Sequence, residues 1–120
     1  MDTQPTASQF NTGAYIEDRS GTPIEVIFPA TGKVIATVHS ATPEIVEAAL
    51  ASAKAAQKAW ATKTGTERGR VRRRAALLIE ARNHALSVLE TYDTGKPLQE
   101  TLYVDATSAR AALAYLGGLA

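Results

Sequence analysis

The sequence contains no cysteine in its 120 residues. The chain as it stands therefore has no disulfide, no thiolate ligand for a metal and no cysteine nucleophile. It also lacks an apolar run long enough to cross a bilayer, and its first residues do not combine a basic start with an apolar stretch. These absences predict a cytoplasmic protein with neither a signal peptide nor a membrane partner.

An excess of charge of either sign is also missing. The 13 lysines and arginines are offset by 12 aspartates and glutamates, so the net charge is only +1. This balance gives no global attraction to nucleic acid. A local basic cluster exists, but helical spacing spreads it around the helix, and we interpret it as a solvated or interdomain face. The cluster comprises Arg68, Arg70, Arg72, Arg73 and Arg74.

The first third of the chain has the pattern of short strands. Residues 1–9 are polar, and we expect them to be flexible. Pro29 and Gly32 supply turn chemistry between two apolar-rich segments, and Ser20 with Gly21 forms an earlier turn pair. We predict a small antiparallel β-ribbon over about residues 15–38, built from segments 15–18, 24–28 and 34–38.

The rest of the chain, about residues 43–119, has the pattern of four helices. Thr42 followed by Pro43 is a helix start, and Thr64 with Glu67 fits a capping box. Each predicted helix carries an apolar stripe at helical spacing. In the third helix Ala85, Leu86 and Leu89 are expected to face inward, and the last helix is predicted to run from about Pro97.

The apolar stripes of the four predicted helices have more surface to bury than the predicted β-ribbon can cover. The strands precede all four predicted helices, and the last helix closes just before Ala120. We therefore expect the chain to be a piece of a larger protein, with apolar helix faces left exposed.

The pair Gly95-Lys96 raises the question of a phosphate-binding loop. Such a loop needs a glycine five residues before Gly95 and a hydroxyl after Lys96, but the sequence has Glu90 and Pro97 there. We interpret Gly95 as the end of one helix and Pro97 as the start of the next.

Asp93 is less easily explained, because it lies at the negative end of the predicted helix dipole. Either the side chain of Lys96 or a bound hard cation would compensate its charge. The sequence leaves both alternatives open.

Several segments together resemble the amino-terminal part of NAD(P)-dependent aldehyde dehydrogenases. They are PATGKVIA (residues 29–36), AW (59–60), ERGR (67–70), LETYDTGKP (89–97) and ET (100–101). The order and spacing match over nearly the whole chain. Within the family, the chain most resembles the betaine aldehyde dehydrogenases, through the combination of YIED (15–18), IE (24–25), HSATP (39–43) and ET (100–101).

The resemblance implies an α/β parent fold of the aldehyde dehydrogenase type. Residues 10–120 would be an incomplete, amino-terminal part of its cofactor-binding domain. The nucleophilic cysteine, the glutamate base and the glycine motif of the cofactor site have no counterpart here, so this chain alone is expected to be inactive and not to bind NAD(P). Its partners would be the remainder of the enzyme chain and further copies in a homo-oligomer.

The resemblance also implies a potassium site. By position, its ligands would be the main-chain oxygens of Val26 and Ile27 and the carboxylate of Asp93. The hard oxygen donors suit such a cation.

Two other functions stay open at this point. The chain is alternatively a free-standing helical module that buries its stripes by self-association, or a small nucleic-acid-binding protein that uses the arginine cluster.

Overall fold

The structure is a computed structural model that describes residues 4–119. The chain divides into two compact units, the first ending at Ala59 and the second beginning at Trp60. Each unit is described by itself below.

The first unit begins with a short hairpin. Strands β1 (Gln9–Asn11) and β2 (Ala14–Ile16) pair antiparallel, with Gln9 opposite Ile16. The connecting residues Thr12 and Gly13 have φ of 54° and 82°. Two consecutive positive φ values are typical of a type I′ turn, whose twist matches that of the strands it joins.

A second hairpin follows. Strand β3 (Pro23–Phe28) pairs antiparallel with β4 (Lys33–His39), and the turn between them has Gly32 at a φ of 68°. The register shifts between Val26 and Ile27, so that β4 carries one extra residue there. The extra residue is a β-bulge, which raises the local twist.

The predicted ribbon over 15–38 is thus two separate hairpins. Residues 14–16 pair backwards with β1 rather than forwards with β3. The physical reason lies in residues 18–21, where Ser20 N–H and Oγ both donate to the Asp18 carboxylate at 3.0 and 2.6 Å. This local turn redirects the chain, and Asp18 also accepts from Thr42 Oγ1.

The flexibility expected of residues 1–9 stays a prediction, and residues 1–3 lie outside the described part of the chain. Two polar side chains from this segment bond to the backbone of β4. Gln4 exchanges two hydrogen bonds of 2.8 Å with the main chain of Thr37, and Ser8 Oγ accepts from His39 N at 2.7 Å. These contacts occupy main-chain groups on an edge strand, which otherwise invites pairing with another chain.

Helix α1 (Pro43–Ala61) crosses the boundary between the two units and has no buried residue. The second unit then contains α2 (Gly65–Ala81) and α3 (Asn83–Thr94). A final helical run follows as α4 (Leu98–Glu100), a π-helical turn (Thr101–Asp105) and α5 (Ala106–Gly118).

Two of the predicted helix ends have the expected local structure. Thr64 and Glu67 form the expected capping box, with bonds of 3.2 and 2.7 Å between each side chain and the other residue's N–H. Gly95 is a left-handed C-cap at a φ of 75°, and its N–H donates to Thr91 O. The Gly-Lys pair is therefore a helix end, as predicted.

Helices α2 and α5 pack through their smallest residues. Gly69 and Ala76 of α2 are buried, as is Gly117 of α5. A Cβ atom on Gly117 would lie 3.2 Å from the carbonyl oxygen of Gly69. Close backbone approach of this kind requires small side chains.

Most apolar stripes are left open. Val46 and Leu50 of α1 are 45% and 60% exposed, and Leu77, Leu78 and Leu116 of the second unit are also exposed. The expectation of uncovered apolar helix faces is thereby confirmed. Among residues 4–119, no helix combines the length and the apolar character that a membrane span needs.

Gly21 marks the closest backbone approach in the first unit. A Cβ atom there would overlap the carbonyl oxygen of Ser40, whose N–H donates to Thr22 O. We expect Gly21→Ala to lower the free energy of unfolding by about 1–3 kcal/mol, because backbone has to move. Urea unfolding measures this. The matched control is Gly118→Ala, where a Cβ meets nothing within 4 Å; an equal loss in both variants would contradict the explanation.

Candidate functional site

Asp93 lies in the last turn of α3, on the rim of an open pocket. The pocket has a volume of about 480 Å³ and lies wholly within the second unit. Glu90 and Asp105 contribute two further carboxylates to its lining, and Leu86 and Leu89 contribute apolar surface. The helix end that carries Asp93 thus faces a concave, partly acidic surface.

Lys96 does not compensate the charge of Asp93. Its Nζ donates to Asp105 Oδ2 at 2.8 Å, and this hydrogen bond is the main cause that raises the pKa of Lys96, against the opposing effect of burial. The sequence offered two partners for Asp93, the side chain of Lys96 or a bound cation. The structure pairs Lys96 with Asp105 instead. Within residues 4–119, the carboxylate of Asp93 has no ion pair.

The carbonyls at the end of α3 are satisfied by their neighbours. Thr94 Oγ1 donates to Glu90 O at 2.7 Å, and Gly95 N–H donates to Thr91 O at 2.9 Å. Lys96 N–H in turn donates to Thr94 Oγ1 at 3.2 Å. These bonds fix the turn that separates Asp93 from Lys96.

One face of α3 is a polar ladder with a spacing of four residues, formed by Asn83, Ser87 and Thr91. Asn83 Nδ2 donates to Leu102 O at 3.1 Å, and Ser87 Oγ lies 3.0 Å from Asn83 Oδ1 and 3.1 Å from Thr101 O. Thr91 Oγ1 lies 3.1 Å from Thr101 Oγ1. The ladder therefore joins α3 to the π-helical turn.

Thr101 is the centre of this network. Its hydroxyl lies 3.0 Å from both Ser87 O and Leu98 O, in addition to Thr91 Oγ1. Thr101 is 0% exposed and Ser87 is 1% exposed. Because buried polar groups are costly unless they are hydrogen-bonded, these bonds select one packing of the two elements.

The inward face predicted for α3 was wrong. Leu86 and Leu89 are 39% and 42% exposed and line the pocket, Ala85 is exposed, and the buried residue of this helix is Ser87. The π-helical turn was missed as well. The available signal was the recurrence of Asn, Ser and Thr at every fourth position, since such residues are uncommon in helix interiors without a bonding role.

We expect Thr101→Val to lower the free energy of unfolding by about 1–3 kcal/mol, because it removes the hydroxyl at similar volume from a buried network. Chemical denaturation measures the loss. Thr107→Val is the matched control, since its hydroxyl makes one longer bond of 3.3 Å to Leu102 O. If both variants lose the same amount, the network is not what stabilises this contact.

The other two predicted potassium ligands lie on β3, in the first unit. The β-bulge falls opposite Val26 and Ile27, and Ile27 is exposed while Val26 is half-buried. Because Asp93 belongs to the second unit, the potassium site stays a prediction. Among the described residues, no group of three or more His, Cys, Asp and Glu side chains is placed to hold a metal.

The first unit holds a Ser-Glu-His cluster with the residue types of a catalytic triad. Ser8 Oγ bonds to Glu17 at 2.9 and 3.1 Å, and His39 Nδ1 contacts Glu17 Oε1 at 2.8 Å. A triad needs the imidazole between the serine and the acid. Here the carboxylate lies between them, so the cluster fastens the chain rather than activating a nucleophile.

The cluster predicts an acid-sensitive contribution to stability. The hydrogen bond from Ser8 lowers the pKa of Glu17 most, against burial, and His39 lowers it further. A carboxylate with a lowered folded-state pKa stabilises the fold above its unfolded-state pKa, and this contribution disappears as the pH falls through the folded-state value. We expect Glu17→Gln to weaken the pH dependence of unfolding below about pH 4.3.

Urea unfolding between about pH 3 and pH 7 measures this effect. Glu25→Gln, at an exposed position of β3, is the matched control. A wild-type acid dependence in Glu17→Gln would contradict the assignment.

Two of the clustered arginines bond to main-chain carbonyls. Arg68 Nη1 donates to Lys63 O at 2.6 Å, and Arg72 Nη1 donates to Leu116 O at 3.2 Å near the end of α5. Arginine at helix ends commonly satisfies such carbonyls. Arg70, Arg73 and Arg74 are exposed, which supports the interpretation of the cluster as a solvated helix face.

Solved aldehyde dehydrogenases contain a segment that superposes on this chain. A betaine aldehyde dehydrogenase from Staphylococcus aureus, solved with NAD+, superposes with a TM-score of 0.84 at 33% identity and covers 95% of this chain and 23% of its own. The indole-3-acetaldehyde dehydrogenase in its apo form superposes with a TM-score of 0.85 at 32% identity, over 93% of this chain and 26% of its own. These matches confirm the predicted α/β fold class.

The sequence comparison agrees with the fold. The profile of the aldehyde dehydrogenase family matches residues 15–120, and the chain therefore belongs to that family. It is 57% identical to the betaine aldehyde dehydrogenase of Agrobacterium fabrum over 98% of this chain and 24% of that protein. It is equally similar, at 57%, to that of Cereibacter sphaeroides (strain ATCC 17029 / ATH 2.4.9) over 100% of this chain and 25% of that protein. The chain thus spans about a quarter of the length of these curated relatives.

Proposed function

We propose that this chain is the amino-terminal segment of an NAD-dependent betaine aldehyde dehydrogenase, which oxidises betaine aldehyde to glycine betaine. The observation that carries the proposal is the 57% identity to two enzymes of that name over 98% to 100% of this chain. The identity extends over all elements of the chain rather than one motif, which supports the assignment to this subfamily.

The reaction needs a thiol that this segment does not have. A cysteine thiolate adds to the aldehyde carbon, and the tetrahedral adduct can then give up a hydride. NAD bound to the complete enzyme would accept that hydride, and water would hydrolyse the resulting thioester to the acid and the free thiol. With no cysteine in 120 residues, the segment alone has no group for the first step.

The contribution of the segment is packing surface. Leu50 of α1 and Leu77 of α2 are 60% and 59% exposed, on helices whose sequences have the spacing of buried faces. We propose that these faces pack against the remainder of a chain as long as its relatives. The runner-up is a free-standing module that covers the same faces by self-association, which these exposures also favour.

We further propose a potassium site in the complete enzyme, with the main-chain oxygens of Val26 and Ile27 and the carboxylate of Asp93 as ligands. The donor set consists of oxygens, which suits a hard cation, and Asp93 has no lysine paired with it. The complete enzyme is proposed to be a cytoplasmic homo-oligomer that binds neither nucleic acid nor membrane.

The proposal predicts activity only when the segment is part of a longer chain. We expect no NADH from the purified 120-residue chain with betaine aldehyde and NAD, and measurable NADH from a family-length chain that begins with this segment. Absorbance at about 340 nm measures NADH formation.

The control is the family-length chain with its nucleophilic cysteine replaced by alanine. NADH formation by the 120-residue chain would contradict the proposal. A monodisperse oligomer of that chain with cooperative melting would favour the self-association module instead.

A further inference from the structure

Four main-chain groups on the outer edge of β4 bond to side chains from earlier in the chain. Gln4 Nε2 donates to Thr37 O, and Gln4 Oε1 accepts from Thr37 N, both at 2.8 Å. Ser8 Oγ accepts from His39 N at 2.7 Å, and Gln9 Nε2 donates to His39 O at 2.6 Å. The three side chains thus supply the donors and acceptors that a neighbouring strand would supply. We call Gln4, Ser8 and Gln9 the edge cap.

The edge cap is fastened to the first hairpin. Gln9 is the first residue of β1, and Glu17 directly follows β2. Ser8 donates from its N–H and its Oγ to Glu17 Oε2 at 3.0 and 2.9 Å, and His39 Nδ1 contacts Glu17 Oε1 at 2.8 Å. One carboxylate therefore holds Ser8 against the end of β4.

The outer edge of β3 is protected in a different way. Pro23 lies opposite His39, and Glu25 lies opposite Thr37. The main-chain groups of two opposite residues in an antiparallel pair point either towards each other or both outwards. Because Thr37 and His39 bond outwards to the edge cap, the main chain of Pro23 and Glu25 also faces away from the partner strand. Proline offers no N–H there, and a charged side chain on an edge disfavours the addition of a strand.

Residues 34–39 of β4 have neither form of protection. Their sequence, VIATVH, has four β-branched residues and contains no proline, glycine, aspartate, glutamate, lysine or arginine. A six-residue segment with high β propensity, low charge and no proline readily pairs with an identical segment. Without the edge cap, β4 would present such a segment on the edge of a two-stranded sheet.

We propose that the edge cap masks a self-pairing surface, and that β4 pairs antiparallel with β4 of a second copy when the cap opens. The main-chain groups define the register. Pairing Thr37 of one copy with His39 of the other satisfies all four groups that the cap occupies. Val38 of each copy then lies opposite Val38 of the other, at a non-hydrogen-bonded position. The inference is independent of the proposed enzyme activity.

The test uses the 120-residue chain, in which an introduced thiol is unique because the sequence has no cysteine. Val38→Cys reports on the proposed pair, since Cα atoms about 4.5 Å apart in a non-hydrogen-bonded pair allow a disulfide. Dimer formation in oxidised glutathione is followed by non-reducing electrophoresis. Adding Gln4→Ala and Ser8→Ala removes three of the four bonds to the edge of β4. This opening of the cap is expected to speed dimer formation at least about tenfold.

Two further variants serve as controls. Leu50→Cys is made with the cap intact and with the cap opened, because Leu50 is 60% exposed on α1 and lies outside the proposed pair. Its dimer formation is expected to be the same in both backgrounds. Thr37→Pro, added to the opened Val38→Cys chain, removes an outward N–H that the pairing needs and spares the bonds to β3. It is expected to return dimer formation to the rate of the capped chain.

The outcomes decide between a masked strand edge and general association. An unchanged rate at position 38 in the opened chain, or an equal rise at positions 38 and 50, overturns the inference. Fast dimer formation by Val38→Cys with the cap intact also overturns it, because the edge would then be open already. Gln4→Ala alone frees only Thr37 and is expected to give a smaller rise at position 38. This single variant decides the question if the double variant does not fold.

Discussion

The hydroxyl of Thr101 is the contact on which the second unit depends. It lies within 3.1 Å of three oxygens from α3 and α4, in a position with no access to solvent. A buried hydroxyl without partners would cost about 1–3 kcal/mol, so an alternative packing of these elements is disfavoured. The same bonds pin the π-helical turn, and the turn sets the direction of Asp105. A single buried side chain thus connects core packing to the charged groups at the rim of the pocket.

In contrast to the buried hydroxyl of Thr101, most large apolar side chains of the described residues are exposed. The two buried hydrophobic residues among those described are Ala36 and Ala76, whereas leucines and valines line the exposed faces of the helices. Local hydrogen bonds and small-residue contacts therefore define these elements, and hydrophobic burial contributes little within the described residues. The chain spans about a quarter of its relatives' length, and exposed apolar surface of this kind is stabilised only when it is buried against further protein.

What the sequence predicted well were the features fixed by nearest neighbours. Two examples are the capping box of Thr64 and Glu67 and the left-handed helix end at Gly95. Each depends on a few consecutive residues, so the sequence alone predicts it. The hairpin at Thr12 and Gly13 was missed because a β-branched residue at positive φ contradicts turn propensity. The face of α3 was assigned wrongly because apolar periodicity outweighed a polar ladder whose partners lie ten to nineteen residues away.

At the candidate site, too, the sequence predicted the local feature but not the long-range contact. Asp93 is visible in the sequence as a carboxylate at the wrong end of a helix dipole, and the nearest lysine is its obvious partner. The structure pairs that lysine with Asp105 instead, nine residues further on and beyond a turn that no local pattern predicts. Sequence reasoning therefore located the unusual charge but not the partner of Lys96, because that partner lies at the end of the π-helical turn. Asp93 is left as an exposed carboxylate, and the nearest lysine bonds across the π-helical turn instead.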